Sequence, residues 1–342
     1  MDSVNGAGHI WIRDGLASEP VLHGGLDTAL FDVDGVLIDT RRSYLLSLAH
    51  ASEHLVRVVN GLDAPSPMVT PEAIALFKRA GGFNSDWDAT QLFASLWTAR
   101  LREWRGLPES TITLEEWAQR AAEAAADRCG GVMWVRETFP ASAIPADDVA
   151  RWAHDEFYWG AKLVDELYGH KPQYAPAATG FVHNEEMLIE SDLLPALKQS
   201  GITRFGLITG RYGAEVTWAL RKLSSVPGHD ALEQFESDFG LSPFKSIVPA
   251  MIYTKPDPRA LRVAIEETGA RGAFYVGDTA DDLDLVLRYR AELAGTWHGA
   301  PPVLAIQVAC GEDALTYQRR GADIIIEHVR DLPRALALAT SR

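Results

Sequence analysis

Five short apolar runs punctuate the chain, each broken off by glycine or polar residues: 28–33, 205–209, 272–276, 303–308 and 322–326. None shows the strict alternation of a half-exposed strand. Near-continuous apolar runs of this length, with helical segments between them, are the pattern of parallel strands buried on both faces. An α/β doubly wound parallel-sheet core, Rossmann-like, is therefore expected from residues 1–40 and 190–342. Residues 41–189 follow a helical spacing instead. Thr70 before Pro71, with Ile74 and Phe77 on one face and Gly81 beyond, predicts a capped helix. Thr113 and Glu116 have the spacing of a capping box that opens an alanine-rich helix ending before Gly130, and a third helix is expected from about 147 to 168. That much helix between two strands exceeds a βα crossover and predicts a large inserted α-helical domain. Hinges are expected near 39–42 and 185–192.

Composition narrows the class. The 342 residues, 47% hydrophobic and 23% charged, can bury a full core without staples. Lys and Arg number 32 against 47 Asp and Glu, a net charge of −15 that repels phosphate backbones and acidic membranes. Nucleic acid is thus not an expected partner, and an anionic substrate must be met by local positive charge. Cys129 and Cys310 form no Cys-x-x-Cys pair, so neither a zinc site nor a disulfide framework is indicated. The sequence has no apolar run of membrane-spanning length, and a soluble cytoplasmic protein is expected.

Four apolar runs or their flanks carry residues suited to phosphate chemistry. Asp32 and Asp34 follow the first run, with Gly35 allowing a sharp turn. Thr209 ends the second and offers a hydroxyl to a phosphoryl oxygen. Lys255 stands just before a helix entered through Asp257 and Pro258. Asp278, Asp281 and Asp282 follow Gly277, where acids also complement a helix dipole, the role read for Asp281. If Asp32, Asp34, Asp278 and Asp282 converge, each like-charged pair about 4 Å apart costs about 4 kcal/mol at an effective dielectric of about 20. One lysine does not offset several such pairs. A divalent cation does, and an all-oxygen donor set suits Mg²⁺ sharing its shell with water and a phosphate.

The ordered set Asp-x-Asp-Gly-Val, strand-end Thr, Lys-Pro and Gly-Asp-x-x-x-Asp, running from Phe31 to Asp282, resembles the four motifs of the haloacid dehalogenase-like superfamily. The resemblance implies a Mg²⁺-dependent phosphatase acting on a small-molecule phosphomonoester. Asp32 would be the nucleophile that forms an aspartyl-phosphate, Asp34 the acid and base, and Thr209 and Lys255 the groups holding the transferring phosphoryl. Mg²⁺ would be held by Asp32, the carbonyl of Asp34 and Asp278, with Asp282 supporting that shell and orienting Lys255. Asp34 disfavours dehalogenation, since dehalogenases of this superfamily lack the second acid. The insert corresponds to a helical cap, expected to close over the site and choose the substrate. Gly210, Arg211, Arg42 and Asn84 are candidate substrate contacts. The stretch 81–88, Gly-Gly-Phe-Asn-Ser-Asp-Trp-Asp, with Ser43 and Tyr44, is similar to a little-characterised subgroup of which some members are associated with histidine biosynthesis, which points toward histidinol phosphate or a related substrate. Its local alternative is a glycine turn leading into a helix capped by Ser85, with Asp88 at the capping-box position.

Two other function classes share these residues. A phosphomutase would use the same apparatus and return the phosphoryl to a bound sugar; a phosphate-binding regulatory protein would combine acids, Thr and Lys without turnover. His50, Glu53 and His54 match a zinc-binding spacing, which is read here as a solvated helix face. Trp152, Phe157 and Trp159 are read as core of the helical insert.

Overall fold

A computed structural model describes residues 9–22, 25–80, 82–83, 85–126 and 130–341. The chain divides into two compact units, Met1–Asp39 with Glu186–Arg342, and Thr40–Glu185.

The first unit is built on a seven-stranded sheet. Its order is Ile10–Ile12, Ile324–Ile326, Val303–Val308, Ala273–Gly277, Thr28–Phe31, Arg204–Thr209, Ser246–Pro249, and every neighbouring pair is parallel except the first. Period-two alternation sends Ala29 and Phe31, Phe274 and Val276, Leu304 and Ile306 into one apolar cluster. Leu30, Ala273, Tyr275, Val303 and Ala305 enter the cluster on the opposite face. Both faces are covered, which is why these strands read as unbroken apolar runs. Two strands escape the sequence pattern: Ile10–Ile12 has only three residues and joins antiparallel at an edge, and Ser246–Pro249 mixes Ser and Pro at the other edge, where proline is tolerated. Residues 186–189 belong to this unit rather than to the insert, because Glu186 and Met187 pair antiparallel with Asp39 and Ile38.

The Thr40–Glu185 unit is helical. Thr70 accepts from Ala73 N at the start of Pro71–Ala80, and Thr113 and Glu116 form the reciprocal box that opens Leu114–Ala126. Its core is aromatic, with Phe77 against Phe83 and Phe93, and Trp104 stacked on Trp117 at 5.5 Å. Trp159 is buried, whereas Trp152 stacks on His170 at 3.8 Å and is only half-buried, as is Phe157. Glu156, fully buried, accepts from the backbone N–H groups of Gln173, Tyr174 and Ala175 and contacts His170, which ties the helix to the following loop.

The helix Asp147–Tyr168 is broken at Gly160, where φ is 79° and ψ is 161°. A side chain there would place its Cβ 2.5 Å from the Thr179 carbonyl carbon. Gly→Ala inside a regular helix is stabilising by roughly 0.5–1 kcal/mol. Here the sign should reverse: Gly160→Ala is expected to cost about 2 kcal/mol or more, read as a lowered melting temperature. A raised melting temperature would show that the break is not required by the packing.

Candidate active site

Parallel register brings the first site residues together. Phe31 stands opposite both Leu207 and Val276, so the strands Thr28–Phe31, Arg204–Thr209 and Ala273–Gly277 end nearly level. Asp32, Thr209 and Asp278 therefore emerge at one carboxyl edge, the place where open α/β sheets put ligands. Gly35, with φ 73°, turns the chain back; a Cβ on it would lie 1.9 Å from Asp278 Oδ2.

The acids of this edge are joined by one lysine. Lys255 Nζ lies 2.7 Å from Asp32 Oδ2 and 2.7 Å from Asp282 Oδ1. Asp32 Oδ1 accepts from Val33 N at 2.8 Å. Asp282 Oδ2 accepts from the Thr279 hydroxyl at 2.6 Å and from Thr279 N at 3.0 Å, while Asp282 N reaches the same hydroxyl, so Thr279 caps the helix Ala280–Arg288 through Asp282. Carboxylate oxygens of Asp32, Asp278 and Asp282 lie within 4.8 Å of one another, a group able to hold a cation. Asp278 Oδ1 is buried without a hydrogen-bond partner.

Burial and mutual repulsion set the charges. Burial, with Asp282 and Asp34 adding repulsion, pushes the Asp32 carboxyl up to about 7 against the attraction of Lys255. Burial, with repulsion from Asp282, Asp32 and Asp34, drives Asp278 well above the usual carboxylate range against the attraction of Lys255. Asp282 is buried too, yet Lys255 and the hydroxyls of Thr279 and Tyr275 outweigh that and hold it below the ordinary value. Burial acts against the Lys255 ammonium, and the charges of Asp282 and Asp32 overcome it, raising the lysine above its normal value. The site is one cation among three crowded carboxyls, and burial with mutual repulsion favours the neutral form of two of them, Asp32 and Asp278.

Asp34 stands apart from this cluster. Its Oδ1 accepts from Arg211 Nη2 at 2.7 Å and Nε at 2.9 Å. Arg211, expected among the substrate contacts, has a fully buried side chain. Thr209 is buried, and its hydroxyl accepts from Arg211 N at 3.2 Å; Gly210 is exposed between them. Arg42 lies exposed in the helical unit, its carbonyl accepting from Asn184. Asn84, Gly81 and Cys129 lie outside the described residues. Ser85 caps the helix Asp86–Thr98 by accepting from Asp88 N, and Trp87 Nε1 donates to the buried Asp155 at 2.7 Å. His50 packs against Phe157 and Phe181, His54 against Phe157 and Tyr174, and Glu53 accepts from Met68 N.

Sequence reasoning missed two tyrosines. Tyr275 OH lies 2.7 Å from Asp282 Oδ1 and 3.2 Å from the Ile208 carbonyl, and Tyr317 OH donates to the Asp278 carbonyl at 3.0 Å. A tyrosine inside an apolar buried strand was the available signal for the first, because a buried phenol must find a partner. Tyr317 gave none: it comes from the separate helix Gly311–Arg320.

The sequence matches the haloacid dehalogenase-like hydrolases over residues 26–285, and the chain belongs to that family. Among solved structures it is similar to the phosphatase Tt82 from Thermococcus thioreducens, at 25% identity over 84% of this chain and 93% of that one, with a TM-score of 0.55. A structural-genomics target aligns over 91% of this chain and 98% of its own at 17% identity and a TM-score of 0.53. CbbY from Rhodobacter sphaeroides, in complex with phosphate, aligns at 19% identity over 90% and 96% with a TM-score of 0.43. No curated protein sequence matches the chain. Among the described residues no helix is long and apolar enough to cross a membrane.

Proposed function

We propose that this hydrolase is a Mg²⁺-dependent phosphatase that cleaves a small-molecule phosphomonoester through a phosphoryl-enzyme on Asp32. The observation that carries the reading is the double contact of Lys255 with Asp32 and Asp282, 2.7 Å each, beside a third carboxyl whose Oδ1 is buried and unpartnered. Kinship to the Tt82 phosphatase supports it.

The residues fit Mg²⁺: the donors are all oxygen, Asp278 Oδ1 lacks a partner, and the three carboxyls carry more charge than Lys255 offsets. Asp32, Asp278 and the carbonyl of Asp34 would hold the cation, which when bound lets an anionic carboxylate approach an anionic phosphate. Asp32, once ionised, attacks phosphorus while Asp34 gives a proton to the departing alcohol oxygen. Asp34 then takes a proton from water as that water displaces Asp32. Lys255 and the Thr209 hydroxyl steady the equatorial phosphoryl oxygens in both displacements. Asp282, saturated with donors, keeps Lys255 in place.

The raised carboxyls give this reading a thermodynamic signature. At pH 6 the metal-free Asp32, pushed up to about 7, is mostly protonated, and the cation binds only its ionised form. Apparent Mg²⁺ affinity should therefore rise with pH from 6 to 8, with release of on the order of one proton per ion at the acid end. Calorimetric titration with MgCl₂ in two buffers of different ionisation enthalpy measures that release. Identical heats in both buffers at pH 6 would contradict the assignment.

Phosphate release across a panel of metabolite monoesters, with Mg²⁺ and with EDTA, tests the function itself. Turnover that needs Mg²⁺ is expected. Interconversion of sugar phosphate isomers without free phosphate would replace the hydrolase reading with that of a mutase.

A further inference from the structure

Arg211 is a charged side chain with no exposed surface, and its guanidinium grips one oxygen of a neighbouring acid. Both Nε and Nη2 donate to Asp34 Oδ1. Asp34 keeps 27% of its side-chain surface exposed, and its Oδ2 has no bonding partner among the described residues. The arginine is itself held: its backbone N donates to the Thr209 hydroxyl, and Nη1 donates to the Glu215 carbonyl at 3.4 Å, in the first turn of the helix Gly213–Ser224.

We propose that Arg211 is a positioning residue that acts through Asp34, not a ligand of the substrate; this rests on the phosphatase reading above. An aspartate carboxyl turns readily about its last bond, and its two oxygens are equivalent until something distinguishes them. Two donors on Oδ1 do so. The proton that Asp34 gives to the leaving oxygen sits on Oδ2, because the lone pairs of Oδ1 face the guanidinium. As the phosphorus–oxygen ester bond breaks and the bond from Asp32 to phosphorus forms, that proton passes to the departing alcohol. Oδ2 next removes a proton from the water whose oxygen attacks phosphorus, and Asp32 is regenerated. The same fixed oxygen thus serves both displacements, one reason an ordered acid outperforms a mobile one. Lysine is no substitute, since a single ammonium cannot reproduce the planar pair of donors.

A double-mutant cycle on Arg211→Gln and Asp34→Asn decides the matter, with phenyl phosphate and 4-nitrophenyl phosphate as substrates at saturating Mg²⁺. Arg211→Gln is expected to lower kcat for phenyl phosphate by about 100-fold with KM changed less than about threefold. The loss should be smaller for 4-nitrophenyl phosphate, whose leaving group scarcely needs the proton, a difference that a general loosening of the fold would not produce. The double variant should be no slower than Asp34→Asn alone. Arg211→Lys, with folding checked by circular dichroism, is the second variant, and the same loss is expected from a folded protein. Independent, multiplying losses would overturn the proposal, as would a large rise in KM with kcat preserved, the mark of a substrate contact. Absence of turnover by the unmodified protein on both esters would strike the phosphatase reading itself; in an active protein the cycle judges Arg211 alone.

Discussion

Asp32→Asn is expected to remove turnover while making the metal-free protein more stable. The amide cannot attack phosphorus, and loss of a nucleophile costs on the order of 10⁴-fold or more in kcat. Stability moves the other way for an electrostatic reason. The Asp32 carboxyl is pushed from 3.8 up to about 7 by burial and by Asp282 and Asp34. A carboxyl raised on folding binds its proton more tightly in the folded state. Its contribution is most favourable below 3.8, declines as pH rises toward 7, and stays unfavourable above that. Asparagine never ionises, so at pH 8 the variant escapes the penalty, and a melting temperature higher by about 2–6 °C is expected without metal. Excess Mg²⁺ should reverse the ranking, because the cation stabilises only the carboxylate form. Calorimetric scans at pH 8 with and without Mg²⁺, beside kcat on one monoester, make the check. Residual turnover within tenfold of the parent would argue against a phosphoryl-enzyme on Asp32.

Lys255→Met should do the opposite to stability and still harm the chemistry. The ammonium is the cation shared by Asp32 and Asp282, and methionine keeps its length without its charge. Breaking a buried ionic contact from one side costs about 3–5 kcal/mol, which for a chain of this size is a fall of roughly 4–7 °C in melting temperature without metal. Mg²⁺ should recover part of that fall by supplying positive charge to the same carboxyls. It should not recover kcat, since the donor proposed for the phosphoryl oxygens is gone, a loss on the order of 10²–10³. Unchanged stability and unchanged kinetics together would remove Lys255 from the site.

Much of this site is legible before any coordinates. The acids at 32, 34, 278 and 282 stand beside apolar runs, and the runs themselves announce strands buried on both faces. Capping signals at Thr70 and at Thr113 with Glu116 mark helix starts because a cap is a bond between residues three apart. The break at Gly160 is not visible in this way: the helical spacing runs through it, and only the loop at Thr179 and Gly180 shows why the helix must open. The return strand is likewise not visible in this way: Glu186 and Met187 form a ribbon two residues long with Ile38 and Asp39. So short an element leaves no periodicity to read.

The sequence alone determined the class of chemistry: which side chains stand at the strand ends, that so many acids call for positive charge where they meet, and that a helical insert separates them along the chain. Covalent adjacency and local periodicity carry that information, and both survive in a one-dimensional string. The tertiary structure decided who holds whom. Lys255 bridges Asp32 and Asp282, Arg211 grips Asp34 from 177 positions away, and Tyr275 reaches Asp282 from the face of the sheet opposite to Phe31. Those pairings depend on strand register, on which face each side chain takes and on the angle of its last rotatable bonds. Such quantities exist only once distant segments are packed together.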